Sequence, residues 1–228
     1  MSGAWVLTRT PDGGTELALE HSYRAVDDDP GQLAWIARVT DQNSRAELAN
    51  VKALSESAAD RAELVFSFED AIDVDGSAAD VYEFLYRAQE WPARLPHVSR
   101  MQLTEDRPGI QVMEMDTVTA AGDRHTTKSV RVCFDGERIV YKQTVVPPLM
   151  SAHTGEWRIT PESESGGVVV TSQHTVVIRP ESVAGILGAE ATLRDAREFA
   201  RRALSGNSRI TLEHSKQFAE IAAGTRPV

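Results

Sequence analysis

The sequence has 228 residues, of which 41% are hydrophobic, and its formal net charge is −10. This composition supports a globular core, and the acidic balance argues against binding to nucleic acid or to an anionic membrane surface, which both need basic groups. No apolar run is long enough to predict a membrane span, and the N-terminus lacks the features of a signal peptide, so we expect a cytoplasmic protein. Cys133 is the single cysteine, which excludes an internal disulfide.

An incomplete internal repeat organises the chain. Three features recur in the same order: a tryptophan, a histidine in the next strand-like run, and a helical segment carrying Asn-Ser-Arg. They are Trp5, His21 and 43–45 in the first copy, and Trp157, His174 and 207–209 in the second. A repeated order of this kind predicts repeated structural units.

The two copies differ in how much of a unit surrounds them. Residues 1–59 are predicted to form the tail of an upstream unit, a strand pair plus a helix, and 62–228 to form one complete unit. A strand pair and one helix cannot close a sheet alone. The sequence leaves open whether the tail packs on the complete unit or whether the chain is cut from a longer protein.

The complete unit is predicted to contain seven strands and three helices. Turn residues separate the strand candidates, at 64–74, 98–105, 109–119, 123–134, 137–146, 152–160 and 167–178. Ser77 can cap a helix at 78–87, a second short helix is expected at 88–93, and residues 183–223 read as one long helix.

This order of elements predicts an α+β helix-grip fold. A curved antiparallel sheet of about seven strands would wrap around the long C-terminal helix, and a cavity would lie between them. Gly206 and Asn207 are the residues at which the long helix could be interrupted.

Charged residues in the strands indicate which side chains face inward. Successive side chains alternate between the two faces, so a charged position assigns the opposite parity to the interior. Lys128, Lys142, Glu156 and Arg158 mark the outer face, and the upstream copy extends the assignment to the last strand. The predicted inner face is His125, Thr127, Ser129, Arg131, Cys133, Tyr141, Gln143, Val145, His153, Gly155, Trp157, Ile159, Val170, Ser172, His174 and Val176.

This inner face is too polar for a sealed core, because each unpaired buried polar group is costly. A wet or ligand-filled cavity would resolve the conflict. The alternative is an inverted parity or a bulge that shifts the register, and for each histidine a purely structural hydrogen bond is equally open. Arg131 is the sharpest candidate, since an inward guanidinium needs an anion, an enolate-like oxygen or a carboxylate partner.

Neither a metal nor a cofactor is expected. His125, His153 and His174 lack the short spacing of metal ligands. The sequence also contains no Gly-rich phosphate loop, dinucleotide fingerprint or Gly-x-Ser-x-Gly elbow, so nucleotide and redox chemistry are not predicted.

Several runs of the chain resemble polyketide aromatase/cyclases of the START-like (Bet v1-like) superfamily. They are 95–98, 111–116, 125–132, 140–143, 147–150, 153–157, 172–176 and 207–209. The resemblance covers essentially all of 62–225, and the tail at 1–59 is similar to the end of the first unit in two-domain members. It implies an enzyme of bacterial type II polyketide synthases. Its substrate would be a ketoreduced poly-β-ketone on an acyl carrier protein, and it would direct first-ring closure, usually C7–C12, and dehydration.

The resemblance also implies which residues bind the substrate. Ser129 and Arg131 match a Ser-x-Arg strand motif that lines the pocket in single-domain members, and Trp91 is the nearest match to a pocket aromatic on the preceding helix. The expected substrate-binding set is Trp91, His125, Thr127, Gln143, His153, Trp157 and Ser172.

Aldol closure followed by loss of water requires stabilised enolate charge and a base. Arg131 is the candidate for the enolate, with Ser129 and Tyr141 as hydrogen-bond partners. His174 is preferred as the base because it recurs in the upstream copy, and His125 or an ordered water are the alternatives.

Two rival functions and one docking hypothesis stay open at this point. The same fold could act as a non-catalytic carrier or chaperone of a polyketide or lipophile, or as an idle interaction module that lacks a usable pocket. An acidic carrier protein could dock on five arginines of the long helix, or these could be a solvated face balanced by Glu190, Asp195 and Glu198. The arginines are Arg194, Arg197, Arg201, Arg202 and Arg209.

Overall fold

The computed structural model describes residues 1–57, 62–118, 124–162 and 166–224. The chain divides into two compact units, Met1–Ala62 and Glu63–Val228. Among the described residues, no helix is long and apolar enough to cross a membrane. The cytoplasmic location expected from the sequence stays a prediction.

The first unit consists of a strand pair and a long helix. Strands β1 (Ser2–Arg9) and β2 (Thr15–Ser22) pair antiparallel, and helix α1 (Pro30–Glu56) follows a short 3-10 turn. Asp29 caps α1 by accepting a hydrogen bond from the backbone N–H of Gln32, at 2.7 Å. That this unit is the tail of an upstream unit stays a prediction.

The second unit is a seven-stranded antiparallel sheet in the order β3-β9-β8-β7-β6-β5-β4. Its strands are β3 (Val65–Val74), β4 (Val98–Arg107), β5 (Ile110–Val118), β6 (Arg124–Phe134), β7 (Arg138–Val145), β8 (Met150–Pro161) and β9 (Val168–Ile178). Its helices are α2 (Ala78–Tyr86), α3 (Trp91–Arg94), α4 (Pro180–Leu187) and α5 (Leu193–Ala222), and a 3-10 turn (Ala88–Glu90) precedes α3. Helix α5 packs on β3, β9 and α2, so the predicted helix-grip fold is confirmed.

The prediction of one helix over 183–223 is wrong. Helix α4 ends at Leu187, where Gly188 takes a φ of 106° that other residues rarely adopt. A capping box between Thr192 and Asp195 then begins α5. Gly206 does not interrupt the helix, because a single exposed glycine costs an α-helix only about 1 kcal/mol.

The predicted inner face holds along most of the sheet but fails at the end of β7. A register shift between β6 and β7 lies beside Ser129, whose partner is Gln143, while Lys128 pairs with Val145. The extra residue in β7 reverses the alternation beyond it. Val145 is consequently 43% exposed, and its predicted inward position is wrong.

Asp70 ties the long helix to the edge of the sheet. Its carboxylate is buried on the inner face of β3 and accepts hydrogen bonds from Arg209 Nε at 2.8 Å and from Ser205 Oγ at 2.6 Å. Both donors lie on α5. Two charge-assisted bonds therefore fix the helix that forms one wall of the interior.

Replacing Asp70 with alanine should lower the free energy of unfolding by about 2 kcal/mol, because two donors lose a charged acceptor. Urea titration followed by circular dichroism measures the change. Glu69→Ala is the matched control, since Glu69 is the exposed neighbour on the same strand and should change the stability by less than about 0.5 kcal/mol. Equal losses in both variants would contradict the anchoring role.

Candidate active site

A cavity of about 110 Å³ lies inside the second unit, between the sheet and α5. Its lining combines aromatic, thioether and polar side chains from strands β5 to β9, from helices α3 and α5, and from the loops at His97 and Pro147. The lining residues are Trp91, His97, Met113, Met115, Thr117, His125, Thr127, Ser129, Arg131, Tyr141, Gln143, Pro147, His153, Trp157, His174, Leu204, Asn207, Ser208 and Thr211. The interior is therefore not filled by side chains. A filled interior would have favoured a pure interaction module.

One row of residues crosses the sheet at the level of the most polar groups. Arg131 on β6 pairs with Tyr141 on β7, Tyr141 pairs with Gly155 on β8, and Gly155 pairs with His174 on β9. Residues directly opposite in neighbouring strands share a face. The register thus places a guanidinium, a phenol and an imidazole side by side.

Arg131 is buried, with 2% of its surface exposed, and has few partners. Its Nη2 donates to the Leu85 carbonyl at 2.5 Å, and its Nη1 lies 3.9 Å from the Met113 sulfur. The Trp91 ring centroid is 5.5 Å from the guanidinium carbon. No carboxylate pairs with Arg131 in the described part of the chain, so several of its N–H donors are left for a ligand.

Burial lowers the pKa of the Arg131 guanidinium, while Cys133 and Tyr82 act in the opposite direction. Arginine nevertheless stays charged near neutral pH. Glu105 lies near enough to favour the charge, but its carboxylate accepts hydrogen bonds from Tyr86, Gln111 and Gly109. The cavity wall therefore contains the Arg131 cation, and the nearby Glu105 carboxylate does not contact it.

His174 is held by hydrogen bonds on both of its ring nitrogens. Ser208 Oγ donates to the Leu204 carbonyl at 2.9 Å, so it has only a lone pair to offer to His174 Nε2, 2.7 Å away. His174 Nε2 therefore carries the proton and Nδ1 carries the lone pair. Tyr141 Oη and His153 Nε2 approach that Nδ1 at 3.1 and 3.0 Å.

The two imidazoles stack, with ring centroids 5.2 Å apart and an interplanar angle of 22°. Burial lowers the pKa of His174 to about 4, and burial together with His174 lowers the pKa of His153 to about 3. Both rings are accordingly neutral at neutral pH. Burial also raises the pKa of the Tyr141 hydroxyl. The hydroxyl therefore stays protonated and donates a hydrogen bond to His174 Nδ1.

The same histidine–serine element occurs in the first unit. His21 Nε2 lies 2.7 Å from Ser44 Oγ, and Ser44 donates to the Thr40 carbonyl at 2.7 Å. Ser44 belongs to the first Asn-Ser-Arg segment, and His21 is the recurring histidine. The two sequence copies thus form the same hydrogen bond in each unit.

Ten of the eleven predicted site residues line the cavity, and Ser172 does not. Ser172 is fully buried behind it, and its Oγ lies 3.2 Å from His174 Nε2. Tyr141 bonds His174 rather than Arg131. His125 is held through Nε2 by the Thr117 hydroxyl at 2.8 Å, at another level of the wall.

Sequence reasoning missed several lining residues. Of these, Ser208 was the easiest to predict, because it lies in the repeated Asn-Ser-Arg segment. The same helix presents Asn207 and Thr211 to the cavity. Met113, Met115 and Thr117 alternate along β5, where Glu114 and Asp116 mark the outer face.

Three cavity residues have buried polar atoms without a partner among the described residues. They are His97 Nδ1, Gln143 Oε1 and His153 Nδ1. Ser129 and Thr127 are also buried on the same strand as Arg131. The described residues contain no cluster of three or more His, Cys, Asp or Glu side chains that could hold a metal ion.

The geometry defines a helix-grip protein with a polar internal cavity, and similarity to known proteins assigns the chain to a family. A family model described as polyketide cyclase/dehydrase and lipid transport matches residues 65–220. The chain belongs to this family. The predicted family and the predicted enzyme class, a polyketide cyclase/dehydratase, are therefore confirmed.

Curated relatives and solved structures agree with this assignment. The granaticin polyketide synthase bifunctional cyclase/dehydratase of Streptomyces violaceoruber is 44% identical, over 97% of this chain and 68% of its own length. The actinorhodin polyketide synthase bifunctional cyclase/dehydratase of Streptomyces coelicolor is 42% identical, over 98% of this chain and 70% of its own. The crystal structure of the di-domain ARO/CYC BexL, from the BE-7585A biosynthetic pathway, superposes with a TM-score of 0.83 at 48% identity, covering 99% of this chain and 71% of that one.

Acid should destabilise the fold through the two cavity histidines. In the unfolded chain the pKa of a histidine is near 6.5. Below that pH the unfolded chain binds protons that His174 and His153 do not bind in the folded protein, so stability is lost as the pH falls toward about 4. His174→Gln should therefore lose less stability than wild type between pH 7 and pH 5, by about 2 kcal/mol. Urea unfolding at both pH values measures the difference, and identical pH dependence in the two proteins would contradict it.

Proposed function

We propose that this chain directs first-ring aldol closure, between C7 and C12, and the following dehydration of a ketoreduced poly-β-ketone on an acyl carrier protein. The observation that carries the proposal is the buried Arg131 guanidinium, which faces the cavity with no carboxylate partner among the described residues and lies level with Tyr141 and His174. The names of the curated relatives, cyclase/dehydratases of granaticin and actinorhodin polyketide synthases, support the same chemistry.

Arg131 is suited to the charge that develops during ring closure. In an aldol step, a carbon between two carbonyl groups loses a proton, and its enolate attacks a ketone further along the chain. A fixed cation away from water stabilises that enolate and the alkoxide that follows. Because Leu85 and Trp91 hold the guanidinium in place, little reorganisation is needed as the charge forms.

Tyr141 and His174 are suited to moving the protons. His174 is neutral, and its Nδ1 lone pair faces the Tyr141 hydroxyl. In the aldol step the pair can take up the proton that leaves the carbon and return it to the alkoxide. In the dehydration it can take up a second carbon-bound proton and return it to the departing hydroxide, which leaves as water. Ser208 fixes the His174 tautomer that this proton transfer requires. His153 Nε2 also contacts His174 Nδ1, and the His153 Nδ1 atom has no partner within the described part of the chain.

The cavity volume supports a reaction at one ring at a time. About 110 Å³ is comparable with an apolar protein cavity of roughly 150 Å³ that holds a benzene molecule. The aromatic and thioether walls of Trp91, Trp157, Met113 and Met115 suit a flat ring. Holding the two reacting carbons in one small space can supply up to about 7–11 kcal/mol of the barrier.

The acyl carrier protein is proposed to dock near the arginines of α5. Arg194 pairs with Glu198 and Arg209 with Asp70, so part of this surface is internally balanced. Arg197 and Arg201 lie over the Phe66 and Phe68 rings. Their charges support attraction of an acidic partner.

Arg131→Met should lower the yield of correctly cyclised product by about 10²-fold or more, because the enolate loses its counter-charge. The assay combines the synthase, the carrier protein and the ketoreductase and reads out the ring pattern. Arg124→Ala, at an exposed position of the same strand, should keep wild-type activity. Urea unfolding should place the Arg131 variant within about 1 kcal/mol of wild type, since removal of a buried charge offsets the lost Leu85 bond.

The same assay separates the enzyme from a non-catalytic carrier of polyketides. A wild-type yield of the correct ring from folded Arg131→Met would overturn the role of Arg131. An unchanged ring pattern and rate when the chain is omitted would favour the carrier, because the cavity would then bind without directing the chemistry.

A further inference from the structure

Gly155 occupies the position on β8 between Tyr141 and His174. It pairs with Tyr141 on one side and with His174 on the other. A Cβ atom added at Gly155 would overlap Tyr141 Oη and Tyr141 Cζ. The phenol ring therefore occupies the space that any side chain at this position would need.

The backbone does not demand a glycine at this position. Gly155 is not among the glycines with a positive φ, so its conformation is open to other residues. Glycine in the interior of a strand is unfavourable for strand formation, and it often marks a close approach of other groups. Space, rather than backbone conformation, accounts for this glycine.

Tyr141 and His174 can only meet if the strand between them carries no side chain at their level. They lie on β7 and β9, which are separated by β8, so their backbones are roughly 10 Å apart across two strand spacings. Direct cross-strand partners lie within about 5.5 Å. The hydroxyl nevertheless reaches His174 Nδ1 at 3.1 Å, because the phenol lies across Gly155.

We propose that Gly155 is a positioning residue, whose missing side chain lets Tyr141 cross β8 and hold its hydroxyl against His174. It does not touch the substrate and acts through Tyr141. The link to catalysis rests on the proposed function, whereas the positioning itself concerns the free protein.

The first test measures the Tyr141–His174 bond without substrate. In ¹⁵N-labelled protein, His174→Gln assigns the imidazole signals of His174, and Tyr141→Phe shows how they move when only the hydroxyl is lost. Gly155→Ala should move the His174 Nδ1 signal in the same direction as Tyr141→Phe. Gly206→Ala is the matched control, since nothing lies within 4 Å of a Cβ there, and it should leave the signal unchanged. An unmoved signal in Gly155→Ala overturns the positioning role.

The second test measures catalysis. Gly155→Ala should reduce kcat by about 10²-fold, to a level similar to Tyr141→Phe. If the His174 signal moves in Gly155→Ala but the rate and ring pattern stay at wild-type values, the positioning role stands and the proposed acid–base function of the pair fails. The two failures are therefore distinguishable.

A third comparison separates Tyr141 from the sheet backbone. A Cβ at position 155 would also lie 2.5 Å from the Gln173 carbonyl oxygen, so Gly155→Ala strains β9 as well. In a Tyr141→Leu background, in which no ring overlies position 155, adding Gly155→Ala should lower kcat by less than about 2-fold. A drop as large as that seen in the wild-type background would mean that the glycine acts through the sheet, and would overturn the inference.

Discussion

A guanidinium removed from water without a carboxylate partner is the constraint on which the second unit depends. In the part of the chain that the structure describes, Arg131 is satisfied only by the Leu85 carbonyl, the Met113 sulfur and the face of Trp91. Burying such a charge costs several kcal/mol, which the rest of the unit must offset. Two apolar clusters, one around α2 and α3 and one beneath α4 and α5, supply that stability. The proposed ring closure would use this charge, because it forms an enolate in the cavity.

The polar wall of the cavity is assembled from elements that are distant in the sequence. The sheet register brings Arg131, Tyr141 and His174 to one level, and α5 closes the network by presenting Ser208 to His174. The position of α5 depends in turn on Asp70. A change at the edge of the sheet can therefore reach the imidazole through the helix, without any contact with the substrate.

The order of strands and helices predicted the fold. Lys128, Glu156 and Arg158 predicted most of the cavity wall, because the side chains around them alternate regularly along β6 and β8. Prediction failed where a local feature broke the period. The bulge in β7 turned Val145 outward, and Gly188 divided the long helix. The repeat pointed to the segment that contains Ser208, but it did not predict the contact with His174, because no strand pattern specifies the register of a helix against the sheet. The bond between Tyr141 and His174 could not be foreseen either, because it crosses an intervening strand.

The histidine–serine element of the first unit gives the chain an internal reference. His21 is exposed and His174 is buried, yet each imidazole contacts a helical serine. In both cases that serine donates a hydrogen bond to the carbonyl four residues before it. A single spectrum of the protein therefore contains the same hydrogen bond twice, once in solvent and once inside the cavity. The difference between the two signals isolates the contribution of the enclosed surroundings, with sample, temperature and ionic strength held identical by construction.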